Sequence, residues 1–420
     1  MGKNNKDKLW SRGFMLIWQG QLVSTLGDAA YSIALGFWIL KVTGSTALMG
    51  TLMATSALPG VLVSPFAGVL LDRMNKKIIM VLMDILRGIV MVLIAVEAYS
   101  GAIAVWMVFV AGILLSICGS LFRPGVNASL PDLLPEAKLS NANSMLSMVS
   151  TGANMIGNVI GGFLYQSLGA PLLFLFNGLS YLFSGVSISF VDLPKKRPEK
   201  SRNIFYDMKA GFHFMWKKKG LRYMLMMAAV INFFAYIAIV LFLPMFETTS
   251  YLGAGLYGVA MACFMGGCMV GYIALSIVTL SPAHRLHYFI AANALSTICF
   301  IAGVNQRLLG IMIPFLAMGG FFNSVVNVIL LSSVQATTPN DMRGKVFAFL
   351  NMTTQSLTPL SMAIGGVLAS FFPIRLIISL SFFVIMIFVT PFLFVKDFKN
   401  FINYKEKSNV NQTCEIKELN

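Results

Sequence analysis

The chain has 420 residues, of which 57% are hydrophobic and only 11% are charged, and its mean hydropathy is +0.78. A soluble protein carries about 25% charged residues, so this composition excludes a soluble globular protein and indicates a membrane protein. The net charge of +15 does not indicate nucleic-acid binding, because the basic residues are confined to polar stretches and chain ends. The five cysteines form no C-x-x-C pair, which predicts neither a disulfide framework nor a metal site.

Twelve apolar segments are long enough to cross a bilayer as helices, which requires about 20 residues each. The first segment is too long for the core of a signal peptide and has no small-residue cleavage site. We therefore predict an all-α membrane protein. Its predicted spans are 13–40, 46–71, 78–98, 102–122, 139–166, 171–191, 220–246, 256–280, 286–304, 307–334, 345–370 and 374–396.

One long polar stretch, residues 192–219, divides these spans six and six. It predicts an amino-terminal six-helix bundle over 1–191 and a carboxy-terminal bundle over 220–396, followed by a disordered cytoplasmic tail over 397–420. Apolar residues recur at helical spacing within the stretch. We therefore expect a cytoplasmic linker with an amphipathic helix that lies on the membrane, with its lysines toward anionic lipid.

The distribution of basic residues predicts the orientation. With the amino terminus inside, the outer ends and loops hold only Lys41, Arg307 and Arg375 of the 31 Lys and Arg residues. Because basic residues accumulate on the cytoplasmic side, both termini are expected in the cytoplasm.

The two halves resemble each other. An offset of 204 residues aligns Pro135 with Pro339, and residues 160–162 with residues 364–366, which are Ile-Gly-Gly in both halves. Any single match between apolar helices is weak, but proline and glycine matches at one offset favour an internal repeat.

Asp28 lies near the middle of the first predicted span, with no Lys or Arg nearby in the sequence. A charge at the bilayer centre costs about 2.5–3.5 kcal/mol, so such a residue usually has a function. Burial favours the neutral form of a carboxyl group, which suits an acid that takes up and releases protons. The alternative is a hydrogen-bonded residue in helix packing. The offset places Asn232, which cannot titrate, at the equivalent position, and this asymmetry favours a proton-coupling role for Asp28.

Between the second and third spans, residues 68–77 resemble the loop motif of the major facilitator superfamily, G-x-L-x-D-R-x-G-R-[KR]. The matching residues are Gly68, Leu70, Asp72, Arg73, Lys76 and Lys77. Asn75 replaces the second glycine, and asparagine also tolerates a left-handed turn. The resemblance implies two pseudo-symmetric six-helix halves that work by alternating access.

The same resemblance implies a conformational latch, in which Asp72 contacts the inner end of span 11. A carboxylate at the amino terminus of a helix gains from the helix dipole. Asp84 and Arg87 lie three residues apart on one face of the next span, and we assign them to the latch as well. Asp84 is expected to pair with Arg87 or with the basic residues of the loop.

Further stretches resemble the macrolide-efflux branch of drug:proton antiporters, which also includes siderophore exporters. They are Gly27–Asp28 and the predicted loop over residues 122–143. Residues 157–162 resemble the antiporter signature G-P-x-x-G-G with Asn158 in place of proline, although close helix packing explains these glycines equally well. This resemblance implies export of drugs in exchange for protons.

Several polar residues in the spans are candidates for a substrate cavity. They are Tyr31, Asn154, Asn232, Tyr236, Asn327 and Gln355. No span centre offers a Lys or Arg, so we expect lipophilic neutral or cationic substrates of antibiotic type, including macrolides. A cationic substrate could compete directly with the proton on Asp28.

An ATP-driven pump is excluded, because no G-x-x-x-x-G-K-[ST] loop occurs. A proton-coupled importer and a lipid or siderophore transporter on the same fold remain open alternatives. We expect a monomer that is not an enzyme, has no cofactor and binds no nucleic acid. Its expected partners are an amphiphilic small molecule, protons and membrane lipid.

Overall fold

The computed structural model describes residues 10–193, 204–249, 251–278 and 281–404, and every regular element in these ranges is helical. The prediction of an all-α protein is confirmed. The α-helices are α1 (Arg12–Thr43), α2 (Thr46–Arg73), α3 (Lys76–Ser100), α4 (Val105–Leu133), α5 (Glu136–Ser189), α6 (Ile204–Lys217), α7 (Lys219–Glu247), α8 (Ala254–Ile277), α9 (Arg285–Val304), α10 (Leu309–Thr337), α11 (Asn340–Leu368), α12 (Ile374–Val389) and α13 (Lys396–Ile402).

Helix α5 contains two of the predicted spans. Its backbone leaves the helical conformation at Gly169, where φ is 75° and ψ is 175°, a region that is essentially restricted to glycine. The segment before Gly169 runs parallel to α1 and the segment after it runs antiparallel, as the glycine contacts along α1 show. Residues 136–168 and 170–189 are therefore two helical segments of opposite direction.

Ten helical segments in the described part of the chain are long and apolar enough to cross a membrane. The predicted span 139–166 lies within α5 and the predicted span 345–370 is helical up to Leu368 in α11, but both are more polar than the other ten. Both occupy the same place in the internal repeat. The chain is a multi-pass membrane protein, and the count of twelve spans stays a prediction.

The loops alternate between two ends of the helical bundle. One end, called the linker face, carries the helix breaks at 74–75, 134–135 and 338–339 together with the described parts of the linker, residues 192–193 and 204–219. The other end, called the turn face, carries Gly44, Gly101, Gly169 and Gly253. These four are the described residues with positive φ, and each permits a tight reversal of the chain.

Glycines pack the inner helices of each half in the same way. In the first half, a Cβ at Gly161 would lie 3.0 Å from the side chain of Ile33 on α1. In the second half, a Cβ at Gly365 would lie 3.3 Å from the carbonyl oxygen of Ile237 on α7. The offset of 204 residues relates both members of the two pairs, so the packing itself repeats.

The next glycine in each half contacts the opposite half. A Cβ at Gly162 on α5 would lie 2.1 Å from the carbonyl oxygen of Ala254 on α8. A Cβ at Gly366 on α11 would lie 2.8 Å from Cα of Gly50 on α2. The offset relates these pairs as well. The predicted architecture of two pseudo-symmetric halves is thereby confirmed.

The predicted loop over residues 122–143 is mostly helical, so this prediction is wrong. Helix α4 continues through Pro124 and Pro131 to Leu133, and α5 begins at Glu136. Only a short break separates them, because Leu134 is held in an extended conformation by the proline that follows it.

The predicted disordered tail is also wrong at its start. Residues 396–402 form α13, in which Phe398, Phe401 and Ile402 are buried. Their i, i+3, i+4 spacing produces one apolar face, which packs on the linker face of the second half. Residues 405–420 lie outside the described part.

In the linker, α6 packs on α11 through the rings of Phe212 and Phe349, whose centres are 5.4 Å apart.

Candidate functional site: a buried charge cluster and a separate apolar cavity

Asp28 lies in the middle of α1 with its side chain half-buried. The neighbouring Gly27 allows the second segment of α5 to approach closely, since a Cβ there would lie 2.4 Å from Ser180 Oγ and 2.6 Å from Asn177 Oδ1. This close approach places a polar face of α5 directly beside Asp28.

Tyr181 on that face donates a hydrogen bond from its hydroxyl group to Oδ1 of Asp28. The Tyr181 side chain is only 3% exposed, so its position is fixed by packing. Tyr31 lies one turn after Asp28 and packs edge-on against Phe174, with ring centres 5.6 Å apart. The Tyr31 hydroxyl is buried without a hydrogen-bond partner among the described residues. Asp28 thus has one fixed donor and a second buried hydroxyl nearby.

Asp84 and Arg87 form an ion pair inside the first half. Asp84 is 0% exposed and Arg87 is 6% exposed. They lie more than two helical turns into α3 from its start at Lys76, a rise of roughly 12 Å, which separates them from the loop. The predicted mutual pairing is found, and the part of this pair in the latch stays a prediction.

The loop between α2 and α3 differs from the expected turn. Asn75 has φ −70° and is not left-handed; its side chain caps α3 by accepting a hydrogen bond from the amide of Lys77. Lys76 binds within its own half, to Asp132 on α4 at 2.9 Å. The surroundings of Gly68 and the side chains of Asp72 and Arg73 lie outside the described part, so the latch stays a prediction.

A cavity of about 510 Å³ lies in the second half, and its lining residues all come from α7 to α12. No residue that lines it is charged. Its polar residues are Asn232, Tyr236, Tyr272, Asn323, Asn327 and Thr354. Cavities of about 300–1,000 Å³ with mainly apolar and aromatic walls suit drug-sized molecules that are oriented by a few polar groups.

The structure divides the predicted cavity residues. Asn232, Tyr236 and Asn327 line the cavity. Tyr31 lies beside Asp28 in the other half, and Gln355 is exposed and does not line it, so the structure does not bring these two to the cavity. The side chain of Asn154 is outside the described part.

The sequence analysis missed Tyr181, which contacts Asp28. A pattern could have revealed it: Asn177, Ser180 and Ser184 recur at helical spacing in an otherwise apolar span, and all three are buried. Buried polar residues on one face of a spanning helix indicate a polar partner on the neighbouring helix.

A sequence model of the Major Facilitator Superfamily matches residues 17–357. The chain belongs to the major facilitator superfamily. It is 23% identical over 383 residues to macrolide efflux protein A of Streptococcus pyogenes, covering 87% of this chain and 91% of that protein. It is 23% identical to the multidrug efflux pump Tap of Mycolicibacterium fortuitum, covering 84% and 88%. The family and these relatives are membrane transporters, not enzymes.

Solved structures of the superfamily share the fold. A bacterial homologue of the human lysosomal transporter Spinster, inward-facing and unoccupied, has a TM-score of 0.69 at 14% identity and covers 95% of this chain and 100% of its own. An inward-facing bacterial homologue of the iron transporter ferroportin has a TM-score of 0.67 at 13% identity, covering 90% and 98%. At these identities the likeness concerns the fold alone.

Proposed function

We propose that this transporter exports lipophilic neutral or cationic compounds of antibiotic type, macrolides among them, in exchange for protons. It would act by alternating access in the bacterial cell membrane, with both termini in the cytoplasm. The observation that carries the proposal is Asp28, a half-buried carboxylate within a membrane-spanning helix, held by Tyr181. An acid in this setting is costly to keep, which favours a role in proton coupling.

The cavity supports the substrate class. Its walls are largely apolar and aromatic, and Asn232, Tyr236 and Asn327 supply a few hydrogen-bonding groups. A polyanion would leave its charges unpaired there, at a large desolvation cost. The names of the efflux relatives support the direction of transport.

Asp28 does not line this cavity, so we replace the expected direct competition between proton and drug by indirect coupling. The proton would bind in the first half and the drug in the second. Each ligand would then change the affinity for the other by shifting the equilibrium between two arrangements of the halves.

The test compares wild-type protein with Asp28→Asn in inside-out membrane vesicles. A panel of lipophilic neutral and cationic compounds, including a macrolide, is offered with and without a proton gradient. We expect wild-type vesicles to accumulate one or more compounds only when the gradient is present. Asp28→Asn vesicles should lose nearly all of this accumulation, because the amide cannot carry a proton, while equilibrium binding of the compound is retained.

Glu97→Gln is the matched control, since it removes a carboxylate from the turn-face end of α3. This variant should transport like the wild type. Gradient-driven accumulation by correctly inserted Asp28→Asn protein would contradict the coupling role. Absence of gradient-driven transport of every compound by the wild type would contradict the proposed function itself.

A further inference from the structure

Asp28 is connected to the buried pair of Asp84 and Arg87 through one aromatic side chain. The guanidinium carbon of Arg87 lies 4.2 Å from the ring centre of Tyr181. The hydroxyl group of the same tyrosine donates to Asp28. Tyr181 therefore contacts the cation with its ring face and the carboxylate with its hydroxyl.

Arg87 is held in place from several sides. It pairs with Asp84 on its own helix, and its guanidinium carbon also lies 4.6 Å from the ring centre of Phe122 on α4. Ser184 on α5 also faces the Asp84 carboxylate. The pair is thus held in position by α3, α4 and α5 together.

Asp28, Asp84 and Arg87 form a cluster of two carboxylates and one guanidinium group. Arginine keeps its proton in proteins, so only the carboxylates change charge. With both carboxylates ionised the cluster carries one negative charge, and with one proton bound it is neutral. A net charge in a poorly hydrated interior is costly, so binding of a single proton, which makes the cluster neutral, is favoured.

We infer that Asp28, Tyr181, Arg87 and Asp84 form one proton-binding unit that takes up a single proton. Arg87 and Asp84 act as positioning residues, because their charges set how tightly Asp28 holds that proton. The inference rests on the proposed proton exchange and deepens it. Among the described residues, two further titratable side chains face the unit, Tyr31 from α1 and Cys118 from α4.

The net charge predicts that substitutions of Asp84 and of Arg87 have opposite effects on the protonation of Asp28. Asp84→Asn leaves Asp28 alone with Arg87, so protonation creates a net positive charge and becomes less favourable. Arg87→Gln leaves two carboxylates without a cation, so protonation becomes more favourable. The double variant again has one negative charge that a single proton neutralises, as in the wild type.

The experiment is a pH titration of the full-length protein in lipid nanodiscs, followed by infrared difference spectroscopy of protonated carboxyl groups. The band that disappears in Asp28→Asn is assigned to Asp28. The midpoint is the pH at which this band has half of its maximal intensity. We expect it to fall by about one pH unit in Asp84→Asn and to rise by about one unit in Arg87→Gln. The double variant should return toward the wild-type midpoint.

Opposite shifts with recovery in the double variant cannot arise from a purely structural role, which would lower stability in every variant. Unchanged midpoints, or shifts in the same direction, would overturn the inference. If Arg87→Gln does not fold, Arg87→Lys takes its place: it keeps the charge and should keep the midpoint, and a large shift would count against the inference.

The titration is independent of transport. A wild-type protein that titrates as described but exports no compound under a gradient would contradict the proposed function and leave the proton-binding unit in place. A wild-type protein that exports, with Asp28 insensitive to Asp84 and Arg87, would contradict the unit alone.

Discussion

At the scale of single residues, two adjacent glycines on α8 meet very different surroundings. A Cβ at Gly267 would lie 1.9 Å from the carbonyl oxygen of Ala317 on α10, whereas a Cβ at Gly266 would meet nothing within 4 Å. A backbone oxygen cannot rotate away as a side chain can, so the first position requires glycine and the second does not.

We therefore expect Gly267→Ala to destabilise the protein by about 1–3 kcal/mol, the usual cost of overpacking. Gly266→Ala should be neutral or slightly stabilising, because alanine has the higher helix propensity. Thermal unfolding of the two purified variants in detergent measures the difference. Equal melting temperatures would show that α8 and α10 are not packed as closely as described.

The sequence predicts that Asp28 is a functional residue, but it does not identify the residue that donates a hydrogen bond to it. A carboxylate in an apolar span stands out because its transfer into the membrane is costly. Tyr181 is separated from Asp28 by 153 residues, and a tyrosine in an apolar helix does not stand out by composition. The spacing of Asp84 and Arg87 predicted their ion pair. Their depth inside the helical bundle could not be predicted, because it depends on the residue at which α3 begins, Lys76.

At the scale of elements, α13 fastens the carboxy-terminal end of the described chain to the second half. Its Phe398 is 0% exposed, with its ring centre 5.9 Å from that of Phe289 on α9 and 5.2 Å from that of Phe392. The side chain of Asn403 accepts a hydrogen bond from the amide of Leu286 at 2.9 Å, in the first turn of α9. The residue that follows α13 therefore satisfies one of the amide groups that lack an intrahelical partner at the amino terminus of α9.

Phe398→Ala should destabilise the second half by about 3 kcal/mol, because it removes a fully buried ring and leaves a cavity. Phe394→Ala is the control, since that ring is 84% exposed and lies only one turn earlier. Thermal unfolding monitored by size-exclusion chromatography compares the two. Equal stability of both variants would mean that α13 does not pack on the bundle.

Composition predicted the long apolar helices but missed the elements whose signals are short. In α13 the apolar face consists of three residues in a polar context, too few for a window of span length to register. Between α4 and α5 the prolines suggested a loop, yet only Pro135 ends a helix. Pro124 and Pro131 are tolerated inside α4, so proline alone did not mark the boundary.

At the scale of the whole molecule, the two halves are in close contact at the turn face. Thr46 donates a hydrogen bond to the carbonyl oxygen of Gly366 at 3.1 Å, where α2 crosses α11. Gly162 occupies the equivalent place where α5 crosses α8. Both contacts depend on backbone approaching backbone, which only the absence of a side chain permits. The molecule is thus in an arrangement that is closed at the turn face.

Gly162→Ala should separate the halves at the turn face. The added methyl group would lie 2.1 Å from the carbonyl oxygen of Ala254, and neither backbone can move without its helix. Since the two arrangements of such a transporter differ by only a few kcal/mol, a strain of about 1–3 kcal/mol is sufficient to change their populations. Spin labels at Val42 and Phe371, both exposed near the turn face, report the separation in a background without native cysteines.

The expected result for Gly162→Ala is a new population with a longer distance between the two labels, as the turn face opens. Gly152→Ala is the matched control on the same helix, because a Cβ there would meet nothing within 4 Å. Its distance distribution should equal that of the wild type. If folded Gly162→Ala protein gives the same distribution as this control, the glycine contact does not hold the turn face closed, and the choice between arrangements must be made elsewhere in the molecule.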